Sequence, residues 1–194
     1  MAELLEPLAE REALAIATRL IERFGCLARA LDASFEQQLS LDPDDADILR
    51  QLRASRKHDS IAFRESLVPG SKLPTPTDFH GYLRDTLAAL AIEKVHATFL
   101  DRKHGYIADE IVVAGSSRDT QLRARSFITR ALELGARALI LAHNHPSGSP
   151  EPSAADIRST RRLEALLNSL EIELIDHFIV ARCSIVSMRE GGYL

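Results

Sequence analysis

Residues 138–142, Ala-Leu-Ile-Leu-Ala, form an unbroken apolar run of strand length, and His143, Asn144, His145 and Pro146 follow at once. A strand without polar alternation is covered on both faces, which calls for helices packed on a sheet. An extended chain repeats every two residues, so His143 and His145 leave the strand end toward the same side. Pro146 has no backbone N–H to donate and turns the chain away. A chain that folds around this segment therefore sets two imidazoles side by side at one end of a buried strand.

The flanking sequence supplies the rest of such a sheet. A helix from Asp78 to about Ala91 leads into VHATFLD, a strand in which Val95, Ala97 and Phe99 alternate. Asp101-Arg102-Lys103-His104-Gly105 has turn composition, and YIADEIVVAG completes a hairpin. An amphipathic helix over 121–134 ends at Gly135, a second helix spans about Ser153–Leu170, IELIDHFIVA reads as a strand, and CSIVSM as an edge strand. The expected fold class is α/β, a mixed sheet flanked by helices, with a small all-α N-terminal region. That region covers 1–66: Leu14, Ala17, Leu20 and Ile21 recur at helical spacing, Gly25 suits a helix end, Ser34 an N-cap, and Pro43 an early helical position. Residues 67–79, LVPGSKLPTPTDF, hold three prolines and a glycine and read as a linker, leaving 80–194 as the α/β domain.

Composition excludes several classes. The 194 residues are 45% hydrophobic and 27% charged, enough for a packed core. No run of 18 apolar residues exists to span a membrane, and MAELLEPLAERE lacks the basic and apolar segments of a secretory signal. Cys26 and Cys183 stand far apart, which argues against a disulfide framework or a thiolate metal site and favours a reducing cytoplasm. A net charge of −4 argues against holding nucleic acid electrostatically, although Arg53, Arg56 and Lys57 form a local basic cluster.

The chemistry concentrates in residues 143–156. Ser153-x-x-Asp156 is a helix-start signature, which fixes Asp156 in the first turn of a helix that can return over the strand end. Two imidazoles and a carboxylate make a ligand set that zinc accepts, with a fourth position left for water.

The segment His143-x-His145-Pro146, six further residues, then Ser153-x-x-Asp156 resembles the metalloprotease signature of the JAB1/MPN (JAMM) family. ALILAHNHPSG, EPSAADI and IDHFIVA resemble its RadC branch in particular, over about residues 75–194. The resemblance implies a cytidine-deaminase-like α/β fold carrying one zinc per chain on His143, His145 and Asp156. It also implies a catalytic glutamate where the first helix gives way to the first strand. Two glutamates come into question, Glu93 in AIEKVHATFLD and Glu110 in IADEIV, and the family's placement favours Glu93 as general base and acid. Ser153 matches the serine that steadies the oxyanion. His177, in LIDHFIV, either approaches the site from a neighbouring strand or is a hydrogen-bonded core residue; His58, His80, His96 and His104 receive no role.

The resemblance extends to the N-terminal helices but departs at the helix-hairpin-helix. Where the family carries a glycine-rich turn that grips DNA backbone, this chain reads Leu41-Asp42-Pro43-Asp44-Asp45-Ala46-Asp47, without glycine and with four aspartates. The leading expectation is a zinc-dependent hydrolase of peptide or isopeptide bonds acting on a protein or peptide partner, with no strong direct DNA binding and no membrane association. The alternatives are a DNA-repair or recombination accessory protein and a non-catalytic MPN interaction module.

Overall fold

The computed structural model describes residues 10–73, 75–88, 90–113 and 120–194, which divide into two compact units, 1–62 and 63–194. Within the first unit, helices α1 (Glu10–Phe24), α2 (Leu27–Asp32), α3 (Phe35–Leu39) and the first part of α4 (Ala46–Ser66) enclose Ile16, Leu20, Ala30, Leu49 and Leu52. The buried stripe of α1 is Ile16, Ala17 and Leu20; Leu14 and Ile21 are 60% and 40% exposed. They lie on the same helix but about a third of a turn from the centre of the inward face, which turns them toward solvent. Ser34 caps α3 as expected, in a reciprocal capping box with Gln37. In the aspartate-rich turn, Arg19 reaches Asp45 at 2.6 Å and Asp42 at 3.5 Å. The side chains of Arg53, Lys57 and His58 lie outside the described residues, as does that of Arg56.

The second unit is a five-stranded mixed sheet of order β2-β1-β3-β4-β5, with β1 (Lys94–Leu100), β2 (Tyr106–Val113), β3 (Ala138–Asn144), β4 (Glu173–Val180) and β5 (Ile185–Ser187). Only β3 and β4 run parallel; the other neighbours are antiparallel. Every residue of β3 is buried, as its uniform composition demands. Alternation divides its side chains: Ala138, Ile140 and Ala142 pack with Phe79, Leu83 and Leu87 of α5 (Pro76–Leu87), whereas Leu139 and Leu141 pack with Phe127 and Ala131 of α6 (Thr120–Glu133) and Leu163 and Leu167 of α7 (Ala154–Asn168). Helix α5 starts at Pro76, inside the segment read as linker, because Thr75 supplies the N-cap and Pro76 suits the first helical position. No helix among the described residues is long and apolar enough to cross a membrane. Among the described residues no cysteine is free.

His96, which sequence reading leaves without a role, is buried on the α5 side of β1. Its Nε2 lies 2.8 Å from Asp109 Oδ2; the Tyr82 hydroxyl donates to that oxygen at 2.6 Å, and the Tyr106 hydroxyl donates to Oδ1. Burial opposes the charge of Asp109, but these donors outweigh it and hold the carboxyl well below the usual carboxylate range. Burial and the contact with Asp109 push the Tyr82 hydroxyl up to about 12. A carboxyl depressed on folding adds stability above its unfolded pKa of about 3.9 and loses it as pH falls through the folded value. Urea melts between pH 7 and pH 2 should therefore show a falling midpoint for the wild type. Asp109→Asn should start lower at pH 7 and fall less steeply; equal steepness would contradict this role for the network.

Candidate metal centre

Register sets the geometry. His143 pairs with Val95 of β1 and Ile179 of β4, and His145 N–H donates to Val180 O at 3.0 Å, so extended pairing continues one residue beyond β3. The two imidazoles meet on the α7 side with their Nε2 atoms 2.9 Å apart. Asp156 closes the triangle, with Oδ1 at 3.5 Å from His143 Nε2 and Oδ2 at 3.5 Å from His145 Nε2. These three residues are a group whose ligand atoms all lie within 4.8 Å of one another. His145 Nδ1 is 2.9 Å from the carbonyl of Ser149, which can only accept, so Nδ1 carries the proton and a neutral ring turns its Nε2 lone pair inward. Metal-ligating histidines are held in this way, by a hydrogen bond at the nitrogen away from the ion. The donor set therefore suits a metal ion in chemistry as well as in spacing.

Asp156 is held by the capping box foreseen from the sequence: Ser153 Oγ accepts from Asp156 N–H at 3.1 Å and Ser153 N–H donates to Asp156 Oδ2 at 2.8 Å. Such a cap stabilises a helix by about 1 kcal/mol and here also aims a carboxylate. Burial works against the charge of Asp156, but Ser153 and the facing His143 and His145 bring its pKa below the ordinary value. Because Ser153 Oγ accepts within the cap, its own hydroxyl proton is left to donate elsewhere.

Glu93 is exposed, one residue before β1, and lines a pocket together with His143, Asp156 and His177. Val95, Phe127, Leu141 and Leu163 make the floor of that pocket apolar. Glu110, the other glutamate considered, is instead engaged by Arg130 Nε at 2.5 Å and does not line it. His177 is both things weighed for it: 6% exposed in the core, and 2.8 Å from His143 through its Nε2. Burial, then the neighbouring His143 and His145, push its pKa well below the usual histidine value. His80 packs edge-on against Phe178, and His104 contacts Glu173 near the far end of the sheet; neither reaches the centre.

Asn144 is the functional residue that sequence reading passes over. Standing between the two histidines, it must face the opposite side of β3, where it is 1% exposed. Its Oδ1 accepts from Lys94 N–H at 2.8 Å, and its Nδ2 donates to the carbonyls of Leu90 and Ile92, each at 3.1 Å. One amide thus ties the backbone on both sides of Glu93 to the strand that carries the histidines. The only signal in the sequence is an uncharged residue of mixed donor and acceptor capacity at an otherwise apolar strand end.

Residues 73–193 match the family described as RadC-like JAB domain. A UPF0758 protein of Pseudomonas fluorescens is 37% identical over 190 residues, which cover 96% of this chain and 83% of the relative. UPF0758 proteins of Photobacterium profundum, 37% identical over 187 residues (94% and 81% of the two chains), and of Vibrio cholerae, 37% over 181 residues (93% and 81%), are similar to the same degree.

Replacing Asn144 by Ala leaves one N–H and two carbonyls without their partner. We expect a loss of about 2–4 kcal/mol in denaturant unfolding, since each stranded buried polar group costs about 1–3 kcal/mol and water recovers part of it. A loss under about 0.5 kcal/mol would show that the clamp contributes little.

Proposed function

The chain belongs to the RadC-like JAB domain family, and on that premise we propose that it is a zinc-dependent hydrolase of peptide or isopeptide bonds, holding one zinc per chain on His143, His145 and Asp156. The observation that carries the proposal is the convergence of two imidazole nitrogens and a carboxylate on one point, with His145 tied back by its remote nitrogen to Ser149. Bound there, zinc supplies Lewis acidity, polarising a carbonyl and making water a stronger acid. The protein's own groups manage the protons. Glu93, on the rim of the same pocket, accepts a proton from the attacking water and returns it to the departing nitrogen. Ser153 donates its hydroxyl proton to the oxyanion that develops on the carbonyl. The apolar side chains that line the pocket lower the local dielectric and strengthen each of these interactions.

A DNA-contacting role has less support. The turn in which a phosphate would lie carries Asp42, Asp44, Asp45 and Asp47, four carboxylates met by two cations, Arg19 at Asp42 and Asp45 and Arg50 at Asp47.

The roles separate by experiment. His145→Ala should lose zinc, measured by elemental analysis, and with it all cleavage of a mixed peptide library followed by mass spectrometry. Glu93→Gln should retain zinc and lose about 10²–10⁴-fold in turnover, the span expected for a general base. Loss of zinc from Glu93→Gln would overturn the division of labour, and cleavage undiminished in that variant would remove Glu93 from the chemistry.

A further inference from the structure

A chain of hydrogen bonds runs behind the candidate ligands and joins one to another. The Thr160 hydroxyl donates to the backbone carbonyl of Asp156 at 2.7 Å; His177 Nδ1 lies 2.8 Å from Thr160 Oγ1; His177 Nε2 lies 2.8 Å from His143 Nδ1. All three distances are those of well-formed bonds. Thr160 and His177 are 2% and 6% exposed, so water does not compete for these contacts.

The direction of every proton in the chain follows from chemistry. A carbonyl cannot donate, so the single hydroxyl proton of Thr160 goes to Asp156 O, and Thr160 Oγ1 is left as an acceptor. His177 Nδ1 must then carry the proton that faces it. A buried neutral imidazole has one proton, so His177 Nε2 is an acceptor and His143 Nδ1 is the donor. The second nitrogen of His143 therefore presents a lone pair at Nε2, on the side where His145 and Asp156 converge.

We propose that Thr160 and His177 are positioning residues: together they fix the tautomer and ring orientation of His143, and so set the affinity of the centre for zinc. The affinity part rests on the function proposed above; the tautomer part does not. Nothing in the relay touches the bond to be cleaved. Its effect reaches the centre through the nitrogen that His143 offers.

Two measurements test it. The first is the imidazole nitrogen spectrum of the metal-free, full-length ¹⁵N-labelled protein at pH 8. His143 should show a protonated Nδ1 and an unprotonated Nε2, and His177→Leu should abolish that preference. The second is zinc affinity by competition with a chromophoric chelator. His177→Leu should bind about 10–100-fold more weakly, the usual cost of losing a partner behind a ligand. His177→Gln should recover most of the loss, because its side-chain oxygen can accept from His143 Nδ1 while its amide N–H donates to Thr160. Thermal unfolding of the metal-free variants separates affinity from misfolding: a variant that melts with the wild type but binds zinc weakly supports the relay.

An Nε2-protonated His143 in the wild type would overturn the proposal, as would a folded His177→Leu that binds zinc as tightly as the wild type. Equal weakness of His177→Gln and His177→Leu would also overturn it, since packing rather than proton direction would then be at work. A wild type that shows the expected tautomer but takes up no zinc would overturn the metal function and leave the tautomer relay standing.

Discussion

The two-residue period at the end of β3 is the constraint on which the site depends. It sends His143 and His145 to the α7 side and Asn144 to the α5 side. On one side the alternation brings two lone-pair nitrogens together; on the other it fastens the segment that carries Glu93. A one-residue slip in the pairing of β3 would exchange these faces, burying one histidine under α5 and turning the asparagine toward the ligands. Pairing on both edges of β3, with β1 and with β4, excludes that slip.

Each face of the sheet carries a buried polar cluster, and the contrast between them separates structure from site. Under α5, His96, Tyr82 and Tyr106 all turn toward Asp109, so the one charge in the cluster is met by donors. Beside α7 the arrangement is reversed. The remote nitrogens of His143 and His145 are the ones with acceptors behind them, and the near nitrogens face a carboxylate. A cluster of that polarity asks for a positive charge in its middle, whereas the first is complete without one.

Much of this is legible in the sequence. The uniform run of β3 announces burial, His-x-His announces a shared side, and Ser153-x-x-Asp156 announces a helix start that the capping box fulfils. Each is a local rule with a range of four residues or fewer. The positions that escaped are those whose partners lie far along the chain. Asn144 bonds to backbone about 50 residues earlier, and His96 acquires its role from Asp109 across the hairpin and Tyr82 on α5; at His177 the sequence leaves two readings open, and the parallel pairing of β4 with β3 makes both true. Helical spacing at Leu14, Ala17, Leu20 and Ile21 announces α1, but which of them face inward is set by packing, and the inward face is centred on Ile16 and Leu20.

The proposed zinc ion lies between His143, His145 and Asp156. Diffraction from zinc-loaded crystals at the zinc absorption edge tests it most directly. One anomalous peak per chain is expected in the second unit, with two imidazole nitrogens at about 2.0–2.1 Å and one carboxylate oxygen at about 2.0–2.2 Å. A peak ligated by other residues, or none at this triangle in zinc-soaked crystals, would contradict it.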